Sequence, residues 1–309
     1  MKKYRSDHVL GTTMRAILAY GVLAIMSQLQ AGASTDRTSL ITWNATTQAE
    51  ASLDKNGNLN LDGQVLPARS EGQGSGPGDF TIVKDSTSSS GKVLHYLCKS
   101  QSDGHKARAE HYLHVEPMNT SFCSEFSVKL DTEFTKVDTK RPDNGPNWCI
   151  LRQWHQCAPE SPPLSLSIKA ETNNVLVWTI LNGDWKGHGL QTNHFGEKQI
   201  ELGHWYHFRV KWRITPDENG QCVVMMSDKI LPKDLTDADI LFSYKGPIGY
   251  TLKGKPNTGT PNNGNAHGPF TIREQQGIYQ GPHVDPATHH GFSVDNLAIY
   301  KLSAAPSLL

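Results

Sequence analysis

The stretch Tyr206-His207-Phe208-Arg209-Val210-Lys211-Trp212-Arg213-Ile214 decides the fold class. Apolar and polar residues alternate along it with period two. Only an extended strand puts Tyr206, Phe208, Val210, Trp212 and Ile214 on one side and the charged residues on the other. Two more runs repeat the pattern. Leu164, Leu166, Ile168 and Ala170 alternate with Ser165, Ser167 and Lys169, and Phe126, Val128 and Leu130 alternate with Glu125, Ser127 and Lys129. Each is expected to be a strand with one buried face. Residues 175–181 are more continuously apolar, interrupted only by Thr179, as in a strand covered on both sides, and residues 292–302 read as a closing strand.

Turn chemistry separates these runs. Residues 71–79 are Gly-rich, 86–91 Ser-rich, 217–220 read as a hairpin turn, and 257–268 form a long Asn/Gly/Pro loop, either a lid over the groove or an ordinary connection. Only residues 232–240 hint at a short helix. The composition agrees, with 27 Gly, 17 Pro and 7 Trp among 309 residues. No repeat and no linker divides the chain, so an all-β sandwich of the jelly-roll kind is expected to fill residues 34–309 as a single domain. Charges balance at 30 Lys+Arg against 30 Asp+Glu. That excludes a nucleic-acid or anionic-membrane partner held by bulk electrostatics.

Residues 1–33 read as a signal peptide. Lys2, Lys3, Arg5 and Arg15 precede an apolar run over residues 16–26, and Ala31-Gly32-Ala33 offers a cleavage site. The run is too short for a membrane span, which needs about 20 apolar residues. A secreted or periplasmic protein is expected, monomeric and without a membrane partner once the segment is removed. Removal takes away four basic residues and one acid, leaving 26 against 29. Cys98, Cys123, Cys149, Cys157 and Cys222 remain, an odd number. Cys149 and Cys157 are either a disulfide across a short segment or two of five buried thiols.

Three strand-like segments carry ionisable residues at alternate positions, where a sandwich places plain apolar or solvated side chains. In Arg108-Ala109-Glu110-His111-Tyr112, residues Arg108, Glu110 and Tyr112 share a face. In Gln153-Trp154-His155, Gln153 and His155 point one way and Trp154 into the core. In Arg273-Glu274-Gln275-Gln276-Gly277-Ile278-Tyr279, residues Arg273, Gln275 and Tyr279 share a face, and Gly277 leaves a gap that admits a ligand.

The order Arg108-x-Glu110, Gln153-x-His155, Gly277-Ile278-Tyr279 resembles the signature of jelly-roll polysaccharide lyases, the superfamily of alginate lyases, glucuronan lyases and heparin lyase I. Pro162-Pro163-Leu164-Ser165-Leu166 and Gly203-His204-Trp205-Tyr206-His207-Phe208 are similar to stretches of the heparin lyase I and glucuronan lyase branch. The resemblance covers residues 108–300. It departs where many of these lyases carry a Lys four residues before the motif Tyr, here Gln275, and where alginate lyases carry a second Arg, here Tyr112.

The resemblance implies a concanavalin-like jelly roll with a concave groove. It implies β-elimination on a uronate-containing anionic polysaccharide of glucuronan or heparin type, with heavy sulfation disfavoured and an alginate-specific lyase as the alternative. The enzyme would remove the C5 proton beside the carboxylate and expel the C4 oxygen. Arg108 and Gln153 would neutralise the carboxylate as charge develops. His155 would act as base or further donor, and Tyr279 as acid and, when deprotonated, as base. Glu110, Tyr112, Arg273 and Gln275 would bind substrate. One tyrosine can serve D-configured uronates, whose C5 proton and C4 oxygen lie on one side, whereas L-configured uronates require His155 opposite Tyr279.

No cofactor or metal is required by this chemistry. Calcium remains a candidate for a structural role through the His283, Asp285, His289 and His290 segment or Asp295-Asn296. The competing reading is a non-catalytic carbohydrate-binding jelly roll stacking sugars on Trp148, Trp154, Trp178, Trp185, Trp205 and Trp212. A glycoside hydrolase is disfavoured by the absence of the paired strand carboxylates it needs.

Overall fold

The computed structural model describes residues 37–43, 51–61, 63–71, 79–99, 106–134, 149–156, 161–171, 174–183, 191–250, 271–281 and 289–303. In chain order the strands are β1 (Arg37–Trp43), β2 (Ser52–Leu53), β3 (Leu59–Leu61), β4 (Gln64–Leu66), β5 (Ala68–Glu71) and β6 (Phe80–Lys84). Next come β7 (Lys92–Lys99), β8 (Ala107–Pro117), β9 (Phe122–Leu130), β10 (Cys149–Gln156), β11 (Leu164–Glu171) and β12 (Asn174–Gly183). The last are β13 (Gln191–Ile200), β14 (Tyr206–Arg213), β15 (Gln221–Ser227), β16 (Ile240–Lys245), β17 (Thr271–Gln280) and β18 (His289–Leu302).

Two antiparallel sheets hold most of them. One runs β16-β15-β14-β9-β18-β7-β6 with β1 on β18, the other β13-β12-β11-β10-β17-β8-β5, and β2-β3-β4 form a small third sheet. Sequence neighbours such as β9 and β10 fall in different sheets, and the chain crosses back to bring β17 between β10 and β8. This is the all-β jelly roll that the alternating runs predict.

The core is aromatic. Phe126 stacks on Phe208 at 5.2 Å and Tyr96 on Phe292 at 5.1 Å within the first sheet, and Trp154 of β10 meets Trp212 of β14 edge-on at 6.4 Å, tying the two sheets together. Trp43, Trp154 and Trp212 are at most 1% exposed. Each such ring removes about 150–250 Å² from water, so these residues carry a large share of the burial energy.

Several expectations need correction. Strands β9 and β11 are buried on both faces, since Glu125, Ser127, Ser165 and Ser167 are at most 3% exposed. On β9 and β14 the cause is the segment expected to be helical. It forms two 3-10 turns, Pro232–Asp234 and Asp237–Asp239, the second started by a Thr236/Asp239 capping box on an extended residue that breaks any continuous helix. These turns lie over the outer face, where Arg209 donates to Leu235 O at 2.6 Å and to Lys233 O, and pairs with Glu125 at 2.8 Å. Cys98, Cys149 and Cys222 are buried free thiols. Burial pushes the Cys149 thiol up to about 12. The bridge from Cys149 to Cys157 is therefore not formed; Cys157 itself, the 1–33 segment, the 257–268 loop, Trp148 and Trp185 lie outside the described residues. So do the side chains along most of β12, including Trp178.

A pH dependence is built into the core. His111 is fully buried, with Nε2 2.8 Å from Gly57 O and Nδ1 3.0 Å from the Tyr96 hydroxyl. The pattern suits the neutral imidazole, Nε2–H donating and Nδ1 accepting. Burial depresses its pKa to about 4 from an ordinary 6.5, with the Gly57 carbonyl working in the other direction. Between those values the unfolded chain binds the extra proton. Stability from this residue is thus complete above about pH 6.5 and is lost as pH falls toward 4, by about 3 kcal/mol. Thermal unfolding measured from pH 7 to 4 should show the decline, and His111→Gln should flatten it. An unchanged slope in the variant would remove His111 as its source.

Candidate active site

Strands β10, β17 and β8 lie side by side in the middle of the seven-stranded sheet, and β5 closes the edge beyond β8. Their register sets which side chains share a row. Tyr279 stands opposite Ile150 on one side and Arg108 on the other, with Glu71 next on β5. Gly277 stands opposite Glu110, and then Arg69. Gln275 lies between Gln153 and Tyr112, and Arg273 faces His155. The three segments singled out by their alternation therefore do meet on one face.

At one end of that face the Arg108 guanidinium lies 4.0 Å over the Tyr279 ring. Burial works against the Arg108 cation, but Glu110 and Glu71 outweigh it and raise its pKa. A cation on the ring face holds both groups in place and favours negative charge nearby. At the other end Arg273 lies 4.0 Å over the Tyr112 ring, while burial lowers its pKa against the pull of Tyr112 and Glu110.

Glu110 joins the two ends. It is fully buried and faces Arg108 Nε at 3.3 Å, and Gln153 donates Nε2 to its other oxygen. With its amide oxygen turned toward Arg273, Gln275 accepts from that guanidinium at 3.1 Å and donates to Glu110 Oε2 at 3.3 Å. Burial raises the Glu110 pKa, and Arg108 and Gln153 pull it back. Such a carboxylate fixes the orientation of every group that points at it.

This arrangement changes the part of several residues. Glu110 and Gln275, read from the sequence as substrate contacts, are completely buried, and their contacts are with neighbouring side chains. Gln153 is 1% exposed with its donor committed to Glu110, so it positions rather than greets a ligand. Arg108, His155, Tyr279 and Arg69 keep partial exposure. Gly277 serves a purpose other than a ligand gap. Its φ is +141°, and a Cβ there would stand 2.1 Å from Ala109 O and 2.5 Å from Glu110 Cα, so only glycine lets β17 approach β8 this closely.

His155 and Tyr279 do not stand together. His155 is five residues along β10 from Ile150, the partner of Tyr279, which places their Cα atoms roughly 17 Å apart. That exceeds the length of one sugar ring.

Sequence reasoning missed Arg69 and Glu71. A signal was present, because Arg69-Ser70-Glu71 repeats the Arg-x-Glu alternation of Arg108-Ala109-Glu110. The tryptophan platforms fare poorly. Trp154 and Trp212 are core residues, and Trp205 lies in the turn before β14, with Lys129 Nζ of the other sheet 5.2 Å from its ring. Among the described residues no three His, Cys, Asp or Glu gather as metal ligands. His290, one of the histidines considered for calcium, is buried against the Phe134 ring and bonded to Gln280. Asp295 accepts from Ser89 Oγ at 3.0 Å and from the Asn296 backbone N–H at 2.7 Å. His283 and Asp285 fall outside the described residues.

The two-sheet architecture is that of a jelly roll, and the partly exposed face of β10, β17 and β8 is its candidate site. The family described as polysaccharide lyase matches residues 43–260, more than half of the chain, and the protein belongs to that family of lyases. The match stops short of β17. Among solved structures the chain is similar to an endo-β-1,4-glucuronan lyase from the fungus Trichoderma reesei, with TM-score 0.52 and 12% identity over 82% of this chain and 96% of that one. It is also similar to a marine alginate lyase from Aplysia kurodai, with TM-score 0.48 and 8% identity over 85% and 99%. Among curated proteins nothing matches.

Proposed function

We propose that this lyase is exported and cleaves a uronate-containing polysaccharide, of glucuronan or heparin type, by β-elimination. The observation that carries the reading is the Arg108 guanidinium over the Tyr279 ring, at the partly exposed end of a face organised by Glu110. Arg108 meets the uronate carboxylate, which makes the C5 proton removable. Acting as the base, the Tyr279 oxygen takes the C5 proton. The electron pair forms the C4–C5 double bond as the C4–oxygen bond breaks, and the same tyrosine returns its proton to the leaving oxygen.

One group acting twice suits a D-configured uronate, whose proton and leaving oxygen share a side. The separation of His155 from Tyr279 supports this over a two-residue mechanism, and leaves His155 to contact a neighbouring sugar. β-D-Glucuronate and β-D-mannuronate both satisfy it. Glucuronan is favoured by the sequence context of Gln153 and Trp212 and by the substrate for which the Trichoderma reesei neighbour is named. Within this reading the mature protein is secreted or periplasmic, acts as a monomer without a membrane or nucleic-acid partner, and needs no cofactor, any calcium being structural.

The test is the ultraviolet absorbance of unsaturated uronate ends, followed for the mature protein with glucuronan, alginate, heparin, heparan sulfate and hyaluronan, with and without calcium. A rise with glucuronan, indifferent to chelator, is expected. A rise with alginate alone would move the substrate, and silence with every polymer from a folded protein would sink the reading.

A further inference from the structure

Arg69 and Glu71 sit on the edge strand β5, outside the residues that the motifs assign. Arg69 donates Nε and Nη2 to Glu71 Oε1 and Nη1 to the Tyr112 hydroxyl at 2.9 Å. The second oxygen, Glu71 Oε2, stands 3.6 Å from Arg108 Nε. One carboxylate is thus held between two guanidinium groups, one of which covers the Tyr279 ring. The Glu71 side chain is 39% exposed and that of Arg108 only 11%. An ion pair this open to water is weakly held and readily exchanged. Its position is also where a second donor is wanted, because Gln153 has turned its amide to Glu110. Guanidinium forks match carboxylate geometry whether the acid is a side chain or a sugar.

We propose that Glu71 holds, between Arg69 and Arg108, the place of the substrate's uronate carboxylate. The incoming carboxylate displaces Glu71, takes an oxygen to each guanidinium and so lays its C5 beside Tyr279. Arg69 then supplies the cation that Gln275 and Tyr112 lack. This rests on the lyase reading and assigns its anion site. Two variants must move in opposite directions. Arg69→Ala removes half of the fork, whereas Glu71→Gln removes the competing anion and leaves the fork intact.

Titration calorimetry of the full chain with tetrasaccharides of β-1,4-glucuronate and of the same chain with carboxyl groups reduced to alcohols decides it. The wild type should bind the acid and not the alcohol. Arg69→Ala should bind about tenfold more weakly, Arg69→Lys should fall between, and Glu71→Gln should bind several-fold more tightly. A heparin tetrasaccharide with reduced carboxyl groups separates sulfate from carboxylate, and binding that depends on Arg69 would overturn the carboxylate assignment. The proposal is also overturned if both variants weaken binding, as a purely structural Arg69–Glu71 pair would make them do, or if the wild type binds the alcohol equally well or binds no acid. Thermal melting of each variant identifies one that has failed to fold, and Arg69→Lys then carries the comparison. Formation of unsaturated ends is read separately. Binding with the expected signs but no elimination sinks the lyase mechanism and leaves the site, whereas elimination unchanged in both variants does the reverse.

Discussion

Tyr279→Phe should abolish formation of unsaturated ends while leaving the protein folded and still able to bind the polysaccharide. The substitution removes one oxygen. The ring stays, and with it the Arg108 guanidinium stacked at 4.0 Å, so the β8–β17 face keeps its packing. What is lost is a proton acceptor and, in the same atom, a proton donor. Each transfer by a positioned group is worth about 10²–10⁴ in rate, and a single tyrosine that performs both forfeits them together. Absorbance assays on the preferred polymer should therefore fall to background, with kcat rather than KM carrying the loss. His155→Asn should act otherwise. Standing five residues from the partner of Tyr279, His155 is placed to touch another sugar, and its loss should raise KM more than it lowers kcat. A Tyr279→Phe enzyme that retained activity, or a His155→Asn enzyme that lost all of it at saturating substrate, would reverse these roles.

The strand pattern was legible because period two is a property of the backbone alone. Tyr206, Phe208, Val210 and Trp212 had to share a side, and they do, all at most 8% exposed. What covers the opposite side was not legible. Arg209 is charged and yet 6% exposed, because Glu125 from β9 and the carbonyls of Lys233 and Leu235 come to it from elsewhere in the chain. The site shows the same division. Alternation correctly grouped Arg108 with Glu110 and Arg273 with Gln275. It gave no depth, so Glu110 and Gln275, which are buried, looked equivalent to Arg108 and Tyr279, which reach solvent. Arg69 and Glu71 carried a pattern but needed the β5–β8 pairing to acquire a role. Gly277 was recognised as special, though the reason lies in the neighbouring backbone of Ala109 and Glu110.

Arg152→Ala should be the most destabilising single change in this region, costing about 3–5 kcal/mol, although Arg152 touches no part of the exposed face. Alternation already puts it on the Trp154 side, and there it is 0% exposed, between the two sheets. Its Nε donates to Glu274 Oε1 at 2.8 Å and its Nη1 to Gln276, while the guanidinium lies 4.3 Å over the Phe126 ring of the opposite sheet. Gln276 in turn donates to Leu151 O at 3.0 Å, so the group clasps β10 to β17 from behind the site. Burial lowers the pKa of Arg152, and Glu274 pulls it back up. Removing the arginine strands Glu274, which is 2% exposed and already has Oε2 without a hydrogen-bond partner among the described residues. The cost is that of an uncompensated buried charge, so it should vanish when both charges go. Arg152→Met with Glu274→Leu should unfold in denaturant near the wild-type midpoint, or above it, as replacements of buried ion pairs by apolar side chains do. Glu274 sits between Arg273 and Gln275 in β17, and Arg152 between Leu151 and Gln153 in β10. If the pair's contribution is register rather than stability, the double variant will be stable and a poor enzyme, with Gln153 no longer held against Glu110. A double variant as active as the wild type would leave the pair no part in shaping the site.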